Sequence, residues 1–155
     1  MKITVKKALA AFFEIENLGE KRSQTGELIE KAIEIPAEKT RTSYWLGRLT
    51  SKLTTIKNDY EKQRDALVKS LGTPVVAKDE NGVELKNDDG TPKYIEGQYQ
   101  VATENLQKFQ EQHQQLLDTE DEIELAEGLE YELFEGIKWP ITFFRNLDPF
   151  IKEPK

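Results

Sequence analysis

Two stretches of this chain carry apolar side chains at alternating spacings of three and four, and they flank a polar insert. In the first stretch Leu46, Leu49, Leu53, Ile56, Tyr60, Leu67 and Leu71 fall on one helical seam, interrupted only near Gln63 and Arg64. Gly72-Thr73-Pro74 ends the run, because glycine closes a helix without steric cost and proline cannot continue one. A helix from about Thr40 to Leu71 is predicted, roughly 45 Å long at about 1.5 Å per residue. The second stretch sets Tyr99, Ala102, Leu106, Phe109, His113 and Leu116 at the same spacings. The short connection between the two favours antiparallel pairing, with the basic helix of Arg48, Lys52, Lys57, Lys62 and Arg64 beside a more acidic one. The expectation is a mostly α fold on a long, coiled-coil-like antiparallel helical hairpin, residues 38–72 and 98–119. On this reading both Leu53 and Leu106 are seam positions that would not tolerate a charge.

The insert, residues 73–97, is more than a plain loop. Val75-Val76-Ala77 and Val83-Glu84-Leu85 flank Asp79-Glu80-Asn81-Gly82, and Asn-Gly between extended runs signals a β-hairpin. A second turn signal, Asn87-Asp88-Asp89-Gly90-Thr91-Pro92, leads into Lys93-Tyr94-Ile95. A small β-hairpin or three-stranded meander at the hairpin tip is one reading, and a floppy polar insertion is the other, since isolated hairpins are marginal in water.

Residues 1–37 and 120–155 are expected to form a compact head that completes a single domain. Thr4 can cap an amphipathic helix that runs to about Asn17, with Gly19 just past its end and Phe12-Phe13 counted as core. Gly19 to Thr25 is turn-like, and Glu27 to Ile33 is expected to add a helical turn or two. Ile33-Glu34-Ile35 and Ile123-Glu124-Leu125 each alternate, and either pair as a ribbon at the hairpin base or serve as turns. Toward the C-terminus Tyr131, Phe134, Trp139, Phe143, Phe144 and Phe150 supply most of the aromatic surface. Pro140 suits the start of a short helix, Ile141 to Leu147, which Pro149 ends. These aromatics are expected to pack with the first helix and Trp45.

Charge narrows the function classes. The net charge is -7, but up to Ser70 there are 14 Lys/Arg against 10 Asp/Glu, and from Leu71 onward 8 against 19. The basic half either folds onto the acidic half or leaves it as a surface for basic partners. Arg41, Arg48, Lys52 and Lys57 form the one basic face suited to nucleic acid, and the acidic half opposes that use by repelling phosphates. No apolar run approaches the roughly 18–20 residues that cross a bilayer, and Met1-Lys2-Ile3-Thr4 lacks a signal-peptide apolar segment.

Catalytic chemistry finds little footing. With no cysteine and a single histidine, thiolate nucleophiles and Cys- or His-based metal sites have no ligands. Asp118, Glu120, Asp121, Glu122 and Glu124 could gather around a hard cation, but no loop glycine lies within the run, and a solvated face accounts for it. His113 reads as a seam side chain. The Ser and Thr residues around Thr40 to Thr55 have no partner histidine to activate them, and no Gly-rich phosphate loop with Lys-Ser/Thr is present. A non-enzymatic protein without cofactor is expected.

The order of parts resembles a family of small proteins of uncharacterised function encoded in tailed bacteriophage genomes. The likeness covers residues 35 to 151. It rests on Thr42-Ser43-Tyr44-Trp45-Leu46-Gly47-Arg48-Leu49 opening a long helix, Tyr60-Glu61-Lys62-Gln63-Arg64-Asp65-Ala66-Leu67 near its end, an Asp/Gly-rich insert, a Gln/Glu-rich helix, and Ile123-Glu124-Leu125 before a closing Pro-containing helix. The resemblance implies a phage origin, a bacterial host cytoplasm or the virion as location, and a virion, assembly or host-directed role; it carries over no functional residues. The leading expectation is a virion or assembly accessory protein that binds a phage structural protein or self-associates. The alternative is an acidic inhibitor of a host nucleic-acid-processing or defence protein. Loops on rigid scaffolds often carry recognition, so Asp79, Glu80, Asp88 and Asp89 in the insert are the candidate partner-binding residues.

Overall fold

The computed structural model describes residues 1–125 and 129–152, and among them helix is the main regular structure. The chain divides into two compact units, one made of Met1–Tyr60 with the segment from Leu117 onward, the other of Glu61–Leu116. Helix α2, Thr40–Leu71, contributes residues to both.

The first unit is assembled from both ends of the sequence. Strand β1 (Lys2–Thr4) leads into helix α1 (Val5–Glu16), whose first turn is capped where the Lys7 amide donates to Thr4 Oγ1 at 3.4 Å. Val5, Ala8, Leu9, Ala11 and Phe12 form its buried stripe. The expected Phe12-Phe13 pair splits: Phe12 is buried and Phe13 is 51% exposed, because adjacent helical positions diverge by about 100°. Leu46, Leu49, Leu53 and Ile56 of α2 are buried in the same core as Ile123, Leu129, Phe134, Phe143, Leu147 and Phe150.

Two expected local structures are replaced. Glu27 to Ile33 does not begin a helix; strands β2 (Lys21–Arg22) and β3 (Leu28–Glu30) pair antiparallel instead. Their turn closes where the Ser23 amide donates to the Glu27 carbonyl at 2.8 Å and the Gly26 amide to the Ser23 carbonyl at 3.0 Å. Gly26 supplies the positive φ that the turn needs, which stops a helix from propagating. Nor do Ile33-Glu34-Ile35 and Ile123-Glu124-Leu125 pair. The partner of strand β6 (Glu120–Glu122) is β1, with Ile3 opposite Asp121. The ladder extends as the Ile123 amide donates to the Met1 carbonyl at 2.9 Å and the Met1 nitrogen donates to the Ile123 carbonyl at 2.7 Å. Ile33 is engaged elsewhere, its amide donating to the Leu18 carbonyl.

Phe134, Trp139, Phe143, Phe144 and Phe150 pack into or against the core of the first unit, whereas Tyr131 is 39% exposed. Helix α4 (Ile141–Leu147) starts after Pro140, and Trp139 stacks on the fully buried Phe143 with ring centroids 4.1 Å apart. The Trp139 indole donates to the Phe134 carbonyl at 2.8 Å, so its polar edge is satisfied while its ring packs. Trp45 and Phe144 lie half-buried against the core. One carboxylate ties α1 to α4: Glu14 accepts from the Thr142 hydroxyl at 2.7 Å and from the Asn146 amide at 2.8 Å. Thr42, the buried polar residue of α2, donates its hydroxyl to the Leu133 carbonyl. A short parallel pair, β7 (Leu129–Glu130) with β8 (Ile151–Lys152), joins the chain end to this core.

In the second unit, strands β4 (Gly72–Val76) and β5 (Tyr94–Val101) pair antiparallel, and helix α3 (Leu106–Asp118) follows. Tyr99 and Ala102, expected on a helical seam, lie in β5 and just after it, because Pro74 pairs with Tyr99 and draws the chain into the ladder. Leu106 is 45% exposed and no described residue of α3 is buried, so this position lacks the closed apolar environment expected of it. Phe109 and His113, one turn apart, stack with centroids 5.4 Å apart. The α2 terminus is fixed where the Leu71 carbonyl accepts from the Ala102 amide at 3.2 Å and from Asn105 Nδ2 at 3.0 Å. A Cβ on Gly72 would stand 2.5 Å from the carbonyl oxygens of Val68 and Gln100, so glycine alone fits the helix-to-strand junction.

These burials make the two seam leucines unequal. Leu53→Asp is expected to cost several kcal/mol and to unfold the first unit, because a charge would enter a closed apolar core. Leu106→Asp should shift the denaturation midpoint only slightly. Phe143→Ala is expected to cost about 3–5 kcal/mol as a large core side chain is lost. Chemical denaturation followed by circular dichroism checks all three.

Candidate partner-binding tip

The insert between β4 and β5 is ordered by its own backbone. Two turns of one kind follow each other eight residues apart in register, the first at Asp79–Val83 and the second at Asn87–Thr91. In the first, the Asp79 amide donates to the Val83 carbonyl at 2.9 Å and the Gly82 amide to the Asp79 carbonyl at 3.0 Å. In the second, the Asn87 amide donates to the Thr91 carbonyl at 2.8 Å and the Gly90 amide to the Asn87 carbonyl at 2.9 Å. Gly82 and Gly90 take φ of 79° and 84°, the left-handed position that ends such a turn. The turn at Ser23 in the first unit has the same pattern, with a short polar residue three positions before glycine.

Three backbone segments meet beneath these turns. The Ala77 amide donates to the Lys93 carbonyl at 2.7 Å, the Lys93 amide to the Leu85 carbonyl at 2.9 Å, and the Leu85 amide to the Ala77 carbonyl at 2.8 Å. Each segment donates to the next and the ring closes, so the polar backbone is satisfied without a thick core. Bridges between Lys78 and Glu84 and between Lys86 and Pro92 extend the pairing toward the turns. The insert is therefore hydrogen-bonded rather than floppy, but it is not a three-stranded meander: β4 pairs directly with β5, and Val83-Glu84-Leu85 joins them only through isolated bridges.

The four acidic residues named from sequence all lie on exposed parts of this element, and the structure separates them into two kinds. Asp79 Oδ1 accepts from the Asn81 and Val83 amides, each at 2.9 Å, and so builds the first turn. Asp89 Oδ1 accepts from the Thr91 amide at 3.0 Å and the Thr91 hydroxyl at 2.6 Å, and so builds the second. The Thr91 hydroxyl, followed by the Thr91 amide, holds the Asp89 carboxyl below its ordinary value by favouring the charged form. Glu80 and Asp88 occupy the equivalent next position in each turn and face solvent without such bonds among the described residues. Beside them Val83 and Tyr94 are 61% and 52% exposed, and Leu85 and Ile95 more than a third. The element offers carboxylates and apolar side chains together. That combination suits contact with another macromolecule through charge and apolar area.

Elsewhere the chemistry-bearing residues do not converge. The acidic run around β6 is exposed, and among the described residues no group of three or more His, Asp or Glu side chains is arranged to hold a metal ion. The first unit has a concavity of about 300 Å³ lined by Met1, Leu125, Pro149, Phe150, Ile151 and Lys152, and another of about 420 Å³ lined by Met1, Arg48, Lys52, Glu124 and Leu125. Arg48 is held over the rings of Tyr44 and Trp45, with its guanidinium carbon 5.9 and 5.4 Å from their centroids. The Glu14–Thr142–Asn146 clamp was not legible in the sequence, since its partners are more than a hundred positions apart and no spacing rule links them. No helix among the described residues is long and apolar enough to cross a membrane. Compared with protein-family models, curated protein sequences and solved structures, the chain matches none.

The turn bonds predict an acid limit for the second turn. Asp89 titrates below the ordinary carboxylate range in the folded chain, so its contribution is present at neutral pH and is lost as pH falls through the depressed value. Thr91→Val should return Asp89 toward its ordinary value, and carboxyl-resonance titration by NMR reads the change. An unchanged titration in the variant would show that the Thr91 hydroxyl is not the cause.

Proposed function

We propose that this chain is a non-enzymatic protein-binding protein that serves tailed-bacteriophage virion assembly as an accessory, and that the acidic insert is its contact surface. One observation carries the reading: a hydrogen-bonded element with no buried residue between Gly72 and Val101 presents Glu80, Asp88, Val83 and Tyr94 to solvent. Exposed apolar side chains grouped together and rimmed by polar residues are a mark of interaction sites. The phage assignment rests on the resemblance of residues 35 to 151, and the location that goes with it is the host cytoplasm or the virion. The remainder of the fold expectation belongs here too. Within the second unit, α3 returns antiparallel along the end of α2, which the Leu71 bonds to Ala102 and Asn105 and the β4–β5 ladder support.

The acidic balance from Leu71 onward, 8 basic against 19 acidic residues, favours a second reading in which the same surface occupies the basic cleft of a host nucleic-acid-processing or defence protein. The two readings separate by partner. Affinity capture from infected lysate recovers a particle protein in the first case and a basic host protein in the second, the latter released as salt rises.

The test is charge reversal. Glu80→Lys with Asp88→Lys is expected to abolish partner capture and leave the thermal midpoint unchanged, since neither carboxylate holds a turn. Asp79→Ala should weaken capture and also loosen the first turn, visible as faster exchange of the Asn81 and Val83 amides. Trp139→Ala should lower the midpoint first. Loss of capture in Trp139→Ala with an intact melting curve would move the interface to the aromatic segment and overturn the assignment.

A further inference from the structure

The two tip turns place an Asn-Gly pair and an Asp-Gly pair at the same position, Asn81-Gly82 in the first and Asp89-Gly90 in the second. We propose that Asn81 is a site of spontaneous modification, converting to aspartate and isoaspartate through a cyclic imide formed with the main-chain nitrogen of Gly82. In the first step that nitrogen loses its proton and attacks Asn81 Cγ. The new N–Cγ bond forms as the Cγ–Nδ2 bond breaks, and the side-chain nitrogen leaves as ammonia. Water then opens the imide at either carbonyl, which yields aspartate in one direction and isoaspartate in the other. No electrons are transferred, and solvent water is the only co-reactant.

Three features single out Asn81. It is the one asparagine followed by glycine, whereas Asn17, Asn105 and Asn146 precede leucine and Asn58 and Asn87 precede aspartate. A residue without Cβ leaves the attacking nitrogen unhindered by its own side chain, and the space where a Cβ at Gly82 would stand is open, with nothing within 4 Å. The Asn81 side-chain amide is exposed and has no hydrogen bond among the described residues, so Cγ is open to attack. One restraint opposes the reaction: the Gly82 amide donates to the Asp79 carbonyl at 3.0 Å, which holds the nucleophile in the turn. Conversion therefore proceeds through opening of this turn, a local event because none of its residues is buried.

The second turn is the internal control. Asp89 has the same glycine after it, but Oδ1 is held by both the amide and the hydroxyl of Thr91, at 3.0 and 2.6 Å. The ionised, twice hydrogen-bonded carboxylate is a poor electrophile, and closure to the imide would first need it protonated so that water can leave. One turn changes with time and its repeat does not. The aspartate product adds a fifth carboxylate beside Asp79, Glu80, Asp88 and Asp89. The isoaspartate product lengthens the main chain by one carbon, and the Asp79–Val83 closure no longer fits.

Incubation of the full chain at neutral and mildly alkaline pH, followed by peptide mapping with fragmentation that separates aspartate from isoaspartate, tests the proposal. The expected result is conversion confined to residue 81, several-fold faster at the higher pH and faster again in denaturant, where the Gly82 amide is released. Asn81→Gln should abolish it without altering the melting curve. Thr91→Val should expose Asp89 and let isomerisation appear at that position. The proposal is overturned if any other asparagine converts as fast as Asn81, if native Asp89 isomerises at the same rate, or if denaturant slows the reaction.

Discussion

Burial of one apolar stripe on α2 organises the first unit. Leu46, Leu49, Leu53 and Ile56 are all within a tenth of full burial, and each such side chain taken from water contributes about 1.5–3 kcal/mol. No neighbouring sequence can cover that stripe, since the chain leaves α2 for the insert. The cover comes from α1 at one end of the sequence and from Phe134, Phe143, Leu147 and Phe150 at the other. The long-range polar contacts follow from this closure. Thr42 reaches Leu133, Glu14 reaches Thr142 and Asn146, and β1 reaches β6, each satisfying groups that the apolar packing has already brought together.

The second unit solves a different problem with different means. From Thr73 through Val101 it has no buried side chain, so apolar burial contributes little to its order. The β4–β5 ladder, the closed ring of Ala77, Leu85 and Lys93, and two turns capped by their own aspartate side chains take that place. Exposed hydrogen bonds are individually modest, near 1 kcal/mol net, so glycines matter more here than in the first unit. Gly72 admits the close approach of Val68 and Gln100, and Gly82 and Gly90 supply the conformations that reverse the chain.

The division of labour among the acidic residues follows from the same economy. In an element without a core, a carboxylate is either recruited into a turn or left in solvent, and Asp79 and Asp89 are recruited while Glu80 and Asp88 are left. The repeat of one turn at eight-residue spacing then presents the two remaining carboxylates at equivalent places. The proposed role in partner contact rests on that presentation, and the proposed conversion of Asn81 rests on release of the Gly82 amide from the Asp79 carbonyl.

The sequence by itself determined α1, α2 and α4, because their caps, periodicity and prolines are local signals that no tertiary contact contradicts. It also marked the two tip turns, since glycine after Asn81 and after Asp89 favours the left-handed position, but it left open whether the insert is ordered, which the bonds among Ala77, Leu85 and Lys93 decide. The turn at Gly26 carried the same signal, a serine three positions before glycine, but the adjacent Glu27–Ile33 run reads equally as helix, and pairing across the turn decides between them. Only the tertiary structure decided the partner of β6, the half-exposure of Leu106 and the exposure of Phe13. Spacing identifies which residues share a face, but whether a second surface arrives to cover that face is a property of the whole chain. Strand partners are underdetermined for the same reason: Ile33-Glu34-Ile35 and Lys2-Ile3-Thr4 offer similar backbones, and the choice fell to the segment that α1 brings beside Glu120–Glu122.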